Sequence, residues 1–295
     1  MKIIGIPRAL YYYEFGEIWI SFFKELGLNV VLSDKTNGET IASGVKLASS
    51  DLCLPIKAMF GHIDNLIKSE KHIDYLFLPN IYKSDKSCYT CPRVIGLCAM
   101  VRAVFDDLPV IISPDYYGNM RRFLLACGKA LGFGLKQSLN VCKKAAIKDT
   151  DDIIEKSDAL TIALIGHCYN VRDSHLNMNI VKRLSDMNIR CITPDEVSVA
   201  FLNKTAGATH YKKPFWTSAS RNLGYTKYVT DNKLANGIVF LNSFGCGTDS
   251  LSVDFCRDYI RKSSEIPCIT ISLDEHNAQA GLVTRLEAFA DCLIN

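Results

Sequence analysis

The chain of 295 residues lacks any apolar run near the roughly 20 residues that a membrane-spanning helix needs, which argues against a helical membrane protein. It also lacks a basic tract. Lysines and arginines cluster no further than pairs such as Arg121-Arg122, Lys143-Lys144 and Lys212-Lys213, and 34 Lys+Arg against 31 Asp+Glu leave a net charge of +3. That balance provides no electrostatic footprint for a nucleic-acid backbone. No P-loop is found, and the opening Met1-Lys2-Ile3-Ile4-Gly5-Ile6-Pro7-Arg8 reads as a strand entering a turn, not as a signal peptide. The expectation is a soluble, cytoplasmic protein with neither nucleic acid nor membrane as partner.

What is present is ordinary globular composition, 48% hydrophobic and 22% charged, with 12 cysteines. Short β-type runs alternate with segments of helical period, the pattern of parallel sheets built from βαβ units. The first half offers strands at 2–6, 28–32, 75–78 and 110–113, separated by helices near 14–26, 39–48, 55–67 and 92–105. The β signal stops at Gly118 and resumes with Thr161-Ile162-Ala163-Leu164-Ile165. Helix 174–187, strands 189–193 and 238–241, helix 250–261, strand 268–271 and helix 281–293 follow, with 201–232 a helix-bearing excursion. The predicted fold class is α/β, with an N-terminal open parallel-sheet domain over 1–117, a helical linker over 118–157 and a second open parallel-sheet domain over 158–295. Such sheets bind ligands in the crevice at the carboxyl ends of their strands, so the expected cofactor site lies where the two domains face each other.

In a reducing compartment cysteines are thiols or metal ligands before they are disulfides. Four stand where a strand or loop hands over to a helix: Cys53 before Leu54-Pro55, Cys88 and Cys91 in Cys88-Tyr89-Thr90-Cys91-Pro92, and Cys246 in Gly245-Cys246-Gly247-Thr248-Asp249. A thiolate at a helix start has a lowered pKa and is ready to bind metal. Cys98, Cys127, Cys142, Cys191, Cys256, Cys268 and Cys292 fall inside helical or strand patterns and read as packing residues. Cys168, in Gly166-His167-Cys168-Tyr169-Asn170, is a reserve ligand. Thiolates select zinc or iron–sulfur clusters, and spacing alone leaves both open.

The sequence also resembles a known family along nearly its whole length: the proteins related to CoA-substrate-specific enzyme activases, akin to 2-hydroxyacyl-CoA dehydratase subunits and double-cubane cluster proteins. The resemblance rests on Gly5-Ile6-Pro7-Arg8-Ala9-Leu10 with Tyr12 and Tyr13, Cys53-Leu54-Pro55-Ile56-Lys57, Gly61-His62, Cys91-Pro92, Gly166-His167 with Tyr169-Asn170, Cys246-Gly247, and Asp274-Glu275-His276 followed by Gly281-Leu282-Val283-Thr284-Arg285. It implies two flavodoxin-like domains holding a low-potential iron–sulfur cluster, 4Fe-4S or a double-cubane variant, through Cys53, Cys91 and Cys246. It implies, too, that a separate ATPase supplies the electrons. Cys88 is extra to the expected pattern and offers a fourth thiolate that would close the open iron. Cys168 stands where the pattern has proline.

Further candidates for a ligand pocket are Arg8 and Tyr12 after the first strand, Lys57 one turn beyond Cys53, His167, Tyr169 and Asn170 after the strand 161–165, and Glu275 and His276 after the last strand. Gly245-Cys246-Gly247-Thr248-Asp249 imitates the start of a dinucleotide fingerprint but lacks its third glycine. Two functional classes remain on these residues. One is an iron–sulfur protein in low-potential electron transfer or reductive chemistry on a small or acyl-CoA substrate, alone, as a homodimer or beside a homologous subunit. The other is a two-domain small-ligand-binding protein whose cysteines hold zinc or nothing.

Overall fold

A computed structural model of the chain describes residues 1–83, 88–144, 153–209, 211–212, 214–276 and 279–294. The contacts divide it into two compact units, Met1–Lys148 and Asp149–Asn295.

The first unit runs β1 (Ile3–Ile6), α1 (Tyr12–Glu25), β2 (Asn29–Leu32), α2 (Gly38–Leu47), α3 (Leu54–Lys68), β3 (Tyr75–Phe77), β4 (Asn80–Lys83), α4 (Pro92–Ile95), α5 (Leu97–Val104), β5 (Val110–Ile112), β6 (Asp115–Tyr117), α6 (Met120–Ala130) and α7 (Leu135–Lys144). Its main sheet is parallel in the order β2-β1-β3-β5. The chain crosses from β1 to β2 on one side and returns to β3 on the other, so the topological switch point lies between β1 and β3. The core is aromatic: Trp19 and Phe23 of α1 meet Phe77 of β3 edge-on at 5.1 and 4.9 Å, and Tyr116 meets Phe123 of α6 at 5.3 Å.

Pro79 and Pro114 have no N–H to give to a ladder, and the parallel pairing of β3 with β5 is interrupted at them. It resumes as the separate pair β4 and β6, with Leu78 N donating to Ile112 O and Asn80 N to Pro114 O across the break. This extension, absent from the sequence reading, carries the chain beyond the sheet's carboxyl edge by roughly 13 Å at about 3.3 Å per residue. Similarly, the sequence reading has one helix over 92–105, whereas α4 and α5 are separated at Gly96.

Helices α2 and α3 cross with almost no space between their backbones. A Cβ on Gly61 would lie 1.8 Å from the Thr40 carbonyl oxygen, and one on Gly44 would lie 2.0 Å from that of Lys57. The crossing fixes the height of α3. His62 on this helix pairs through Nδ1 with Ser33 Oγ at 2.9 Å and through Nε2 with Thr36 Oγ1 at 3.0 Å, which levels His62 with the carboxyl end of β2. As a crossover helix α3 runs antiparallel to the strands, so its start at Cys53 stands roughly 13 Å beyond that edge, at about 1.5 Å rise per residue.

The second unit runs β7 (Thr161–Gly166), α8 (Cys168–Arg172), α9 (Ile180–Asp186), β8 (Arg190–Ile192), a 3-10 turn (Pro194–Glu196), α10 (Val199–Gly207), α11 (Thr217–Asn232), β9 (Gly237–Ser243), α12 (Gly247–Ser263), β10 (Cys268–Leu273) and α13 (Gln279–Ile294). Its sheet is again parallel, β10-β9-β7-β8, the same topology with the switch point between β7 and β9. Every residue of β7 is buried, as expected for a central parallel strand covered on both faces. Ala163, Ile165, Ile238 and Phe240 form one core with Leu223 and Val229 of α11 and Val253, Cys256 and Ile260 of α12; Ile154 joins it and donates its N–H to Tyr228 Oη.

The excursion over 201–232 contains α10 and α11. Helix α11 is polar in sequence yet buried along most of its length. Several of its polar groups are paired inside the fold: Ser220 Oγ donates to Asn203 Oδ1, Asn222 Nδ2 to Ser252 Oγ and Thr226 Oγ1 to Asn222 O. The sequence reading starts a helix at 174, but α9 begins only at Ile180. Asp173 Oδ1 accepts from the N–H groups of His175 and Leu176 and turns the chain, and Met178 and Asn179 are left-handed at φ 53° and 61°.

The α2–α3 crossing yields a direct test. Gly61→Ala is expected to lower the urea unfolding free energy by about 1–3 kcal/mol through overpacking, whereas Gly38→Ala, with nothing within 4 Å of its added Cβ, leaves the midpoint in place or raises it slightly. Equal midpoints for both variants would contradict the close crossing.

Candidate functional site

The carboxyl ends of β7 and β9 bring together the most concentrated polar cluster in the second unit. Gly166 closes β7 opposite Leu241 of β9, and a Cβ there would stand 2.5 Å from the Leu241 carbonyl oxygen. Only glycine lets the two strand ends approach this closely. His167 follows at once, as the residue before α8. From β9 the chain turns through Gly245, at φ 74°, to Cys246, the residue before α12, with Asp249 in the first turn of that helix.

His167 Nε2 lies 3.0 Å from Asp249 Oδ1 and 4.0 Å from Cys246 Sγ. Among the described residues, these are the three whose ligand atoms all fall within 4.8 Å of one another, with His167 8%, Cys246 7% and Asp249 1% exposed. The two carboxylate oxygens of Asp249 are used differently. Oδ2 accepts long contacts from Ser243 N at 3.4 Å and Asn170 Nδ2 at 3.5 Å, while Oδ1 faces the imidazole in the 3.0 Å ion pair. Ser243 Oγ donates to Asn170 Oδ1 at 3.0 Å, Asn177 Nδ2 donates to the carbonyls of Asn170 and Val171, and Tyr169 stacks on the His167 ring at 4.6 Å.

Burial opposes a charge on the His167 ring, but the Asp249 carboxylate and the Cys246 sulfur outweigh it and raise the imidazole pKa to about 10. Without a metal the site is therefore an imidazolium facing the Asp249 carboxylate and the Cys246 sulfur.

In the first unit Cys53 and Cys91 both stand immediately before helices, in extended conformation, with proline in the first helical turn and no cap hydrogen bond from the side chain. Thr90 N donates to Tyr82 O at 2.8 Å and Thr90 Oγ1 bonds to Ile81 O, which folds the Cys88–Cys91 loop back onto β4 and buries Cys88. Arg93, two residues after Cys91, reaches Asp51, two residues before Cys53, at 3.3 Å. An exposed pair of this kind adds little stability, but it sets the two cysteine-bearing loops side by side. The neighbouring cleft at the β1/β3 switch point is apolar, lined by Leu10, Tyr12, Met59, Ile81, Val94 and Leu97.

The remaining candidates divide. Tyr169, Asn170 and His167 join Cys246 as described. Arg8 anchors its backbone N–H on Ser33 Oγ at the end of β1. Lys57 is 4% exposed, buried within α3. Cys168 is buried in the first turn of α8 and is not one of the three converging donors. Glu275 and His276 follow the edge strand β10, where burial and Glu275 raise the carboxyl pKa of Asp274. Burial pushes the thiols of Cys127, Cys142 and Cys268 up and those of Cys191 and Cys256 to about 12, so these five are neutral at ordinary pH. The residue that sequence reasoning missed is Asp249. Its signal was the spacing of three from Cys246 across a helix start, which puts both side chains on one side of the first turn.

Residues 3–197 match a family model described as a CoA enzyme activase uncharacterised domain. The span takes in the first unit and, in the second, the elements from β7 to the 3-10 turn, with His167 inside it and Cys246 and Asp249 beyond. No curated protein shows a match to this chain. Among the described residues no helix is long and apolar enough to cross a membrane.

Gly166→Ala is expected to force β7 away from the Leu241 carbonyl. The variant should lose about 1–3 kcal/mol in urea unfolding, and iodoacetamide should label Cys246 faster, as read by peptide mass spectrometry. Unchanged stability with unchanged labelling would show that this approach does not position the site.

Proposed function

The chain belongs to the CoA enzyme activase-related family, and on that premise we propose that it is an iron–sulfur component of a 2-hydroxyacyl-CoA dehydratase-type system, with thiolates from Cys53, Cys91 and Cys246 and with Cys88 as a further ligand. The observation that carries the reading is the equivalent placement of Cys91 and Cys246. Each is the residue before the helix that leads from the third main strand to the fourth in its own α/β sheet. Carboxyl ends of parallel strands are where such sheets bind ligands.

The donor set fits the group. Cys53 and Cys246 begin helices of full length, α3 and α12, whose first N–H groups and dipoles favour a thiolate and the negative charge of a cluster. Cys91 begins only a short turn, and its loop is held by Thr90 instead. Lys57 adds a cation one turn beyond Cys53, and the apolar cleft between Met59 and Val94 keeps water from that side. A bound cluster would supply low-potential one-electron chemistry, tuned by burial and by hydrogen bonds to sulfur. Arg8 and Tyr12 at the β1 end, with His167, Tyr169 and Asn170 at the β7 end, are the groups assigned to a small or acyl-CoA ligand.

The absence of a P-loop from the sequence makes this chain the acceptor of electrons from a separate ATPase activator. A homologous subunit or a second copy of the chain completes the system, and a reducing cytoplasm suits both cluster and thiols.

Protein purified without oxygen is expected to be brown with matched iron and acid-labile sulfide. Cys53→Ser, Cys91→Ser and Cys246→Ser should each lose bound iron while Cys142→Ser keeps it. Full iron retention in the first three variants, or a colourless protein that stays metal-free after anaerobic reconstitution, would refute the cluster.

A further inference from the structure

The cluster reading uses only the sulfur of Cys246, yet that sulfur is not alone at the end of β9. We propose that His167 Nε2, Asp249 Oδ1 and Cys246 Sγ bind one and the same metal atom, a first-row metal of borderline softness. Nothing in the family resemblance assigns His167 or Asp249 as ligands. The inference deepens the proposed function but does not need a cluster, because the metal atom is either a single divalent ion or one iron of the cluster.

Three observations converge. The 3.0 Å between nitrogen and oxygen suits two ligands about 2.0–2.2 Å from a common centre, and the sulfur, 4.0 Å from the nitrogen and within 4.8 Å of the oxygen, needs only a small inward shift to complete Zn–N, Zn–O and Zn–S bonds. Asp249 Oδ1 is a buried carboxylate oxygen that faces the His167 ring at 3.0 Å outside hydrogen-bond geometry, whereas buried carboxylate oxygens are ordinarily hydrogen-bonded. Finally, the outer partners are those of a metal site. Asp249 Oδ2 is engaged by Ser243 N and Asn170 Nδ2, Asn170 is itself fixed by Ser243 and Asn177, and Tyr169 stacks on the imidazole, so Oδ1 and Nε2 keep one orientation.

One nitrogen, one oxygen and one sulfur suit zinc or iron and not calcium or magnesium, which take oxygen ligands. Three protein donors leave a fourth position open, the arrangement of a catalytic site and not of a closed structural one. Binding replaces the proton on Nε2 with the metal, and the negative charge of Asp249 then falls on the metal.

The full-length chain, stripped of metal by chelator, is titrated with cobalt(II) without oxygen. One equivalent should give the visible bands of four-coordinate cobalt with a sulfur-to-cobalt charge-transfer band. Cys246→Ser should abolish the charge-transfer band, and Asp249→Asn should weaken binding at least about tenfold. His167→Phe, which keeps the stack on Tyr169 but has no donor, should do the same, whereas His167→Cys restores a donor and should recover binding. Circular dichroism and thermal unfolding of each variant separate lost coordination from lost folding.

On protein reconstituted with iron and sulfide, His167→Phe should change the paramagnetic resonance spectrum and the midpoint potential if the atom is a cluster iron. Cobalt or zinc at one equivalent in protein that never accepts iron and sulfide would refute the cluster and uphold this site. A cluster whose spectrum and potential ignore both His167→Phe and Asp249→Asn, with cobalt affinity equally indifferent, would overturn this site and leave the cluster standing.

Discussion

The parallel pairing of β7 with β9 is the constraint on which the candidate site depends. His167 and Cys246 are 79 residues apart in sequence, and they meet because each follows a strand whose end is locked to the other, Gly166 opposite Leu241. The chain leaves β7 toward β8 and comes back to β9, which parts the loops at this one place and opens the crevice. A Cβ at position 166 would press on a carbonyl oxygen that cannot move without disturbing the ladder. Both loops then enter helices, so their side chains hang from rigid elements.

Polar groups at the β7 and β9 ends are arranged in two layers. Closest in are an imidazole, a thiol and a carboxylate, three groups that would be unfavourable in a buried place unless they neutralised each other or bound something. Around them are neutral amides and hydroxyls, Asn170, Asn177 and Ser243, which orient without adding charge. Met178 and Asn179 are left-handed beside Asn177, a backbone of higher energy that its hydrogen bonds to Asn170 O, Val171 O and Ile180 N hold in place. The outer layer thus preorganises Asp249, and charge at the centre remains available to a metal.

Much of this was legible in the sequence, for reasons that can be named. The strands β1, β3, β7 and β9 are continuous apolar runs, and Pro55, Pro92 and Gly247 mark where helices start, so Cys53, Cys91 and Cys246 were visible as residues at strand-to-helix turns. Helix α11 was legible only as part of a helix-bearing excursion, and its burial was not, because Ser220, Asn222 and Thr226 look like a solvated surface until their partners on α10 and α12 are known. The β4·β6 extension was hidden by Pro79 and Pro114, which read as the ends of strands and are in fact breaks within a longer pairing. Asp249 was in view as part of a glycine-rich turn, but its role appears only when a histidine from another loop is placed 3.0 Å away.

Two sheets of one topology present chemically different donors from corresponding places. The first unit offers the sulfurs of Cys53 and Cys91 before α3 and α4, with Cys88 buried in a loop held by Thr90. The second mixes sulfur with nitrogen and oxygen inside a shell of amides. All-sulfur ligation holds electron-rich iron at low potential, whereas nitrogen in place of sulfur raises the potential, as does polarity around the site. The common fold therefore decides where donors are placed, at the carboxyl ends of strands beside the switch point, and the loop residues decide which donor atoms stand there. On this view Gly166-His167 and Cys246-Gly247-Thr248-Asp249 are two halves of one donor set, and the strand pairing beneath them is what makes them one.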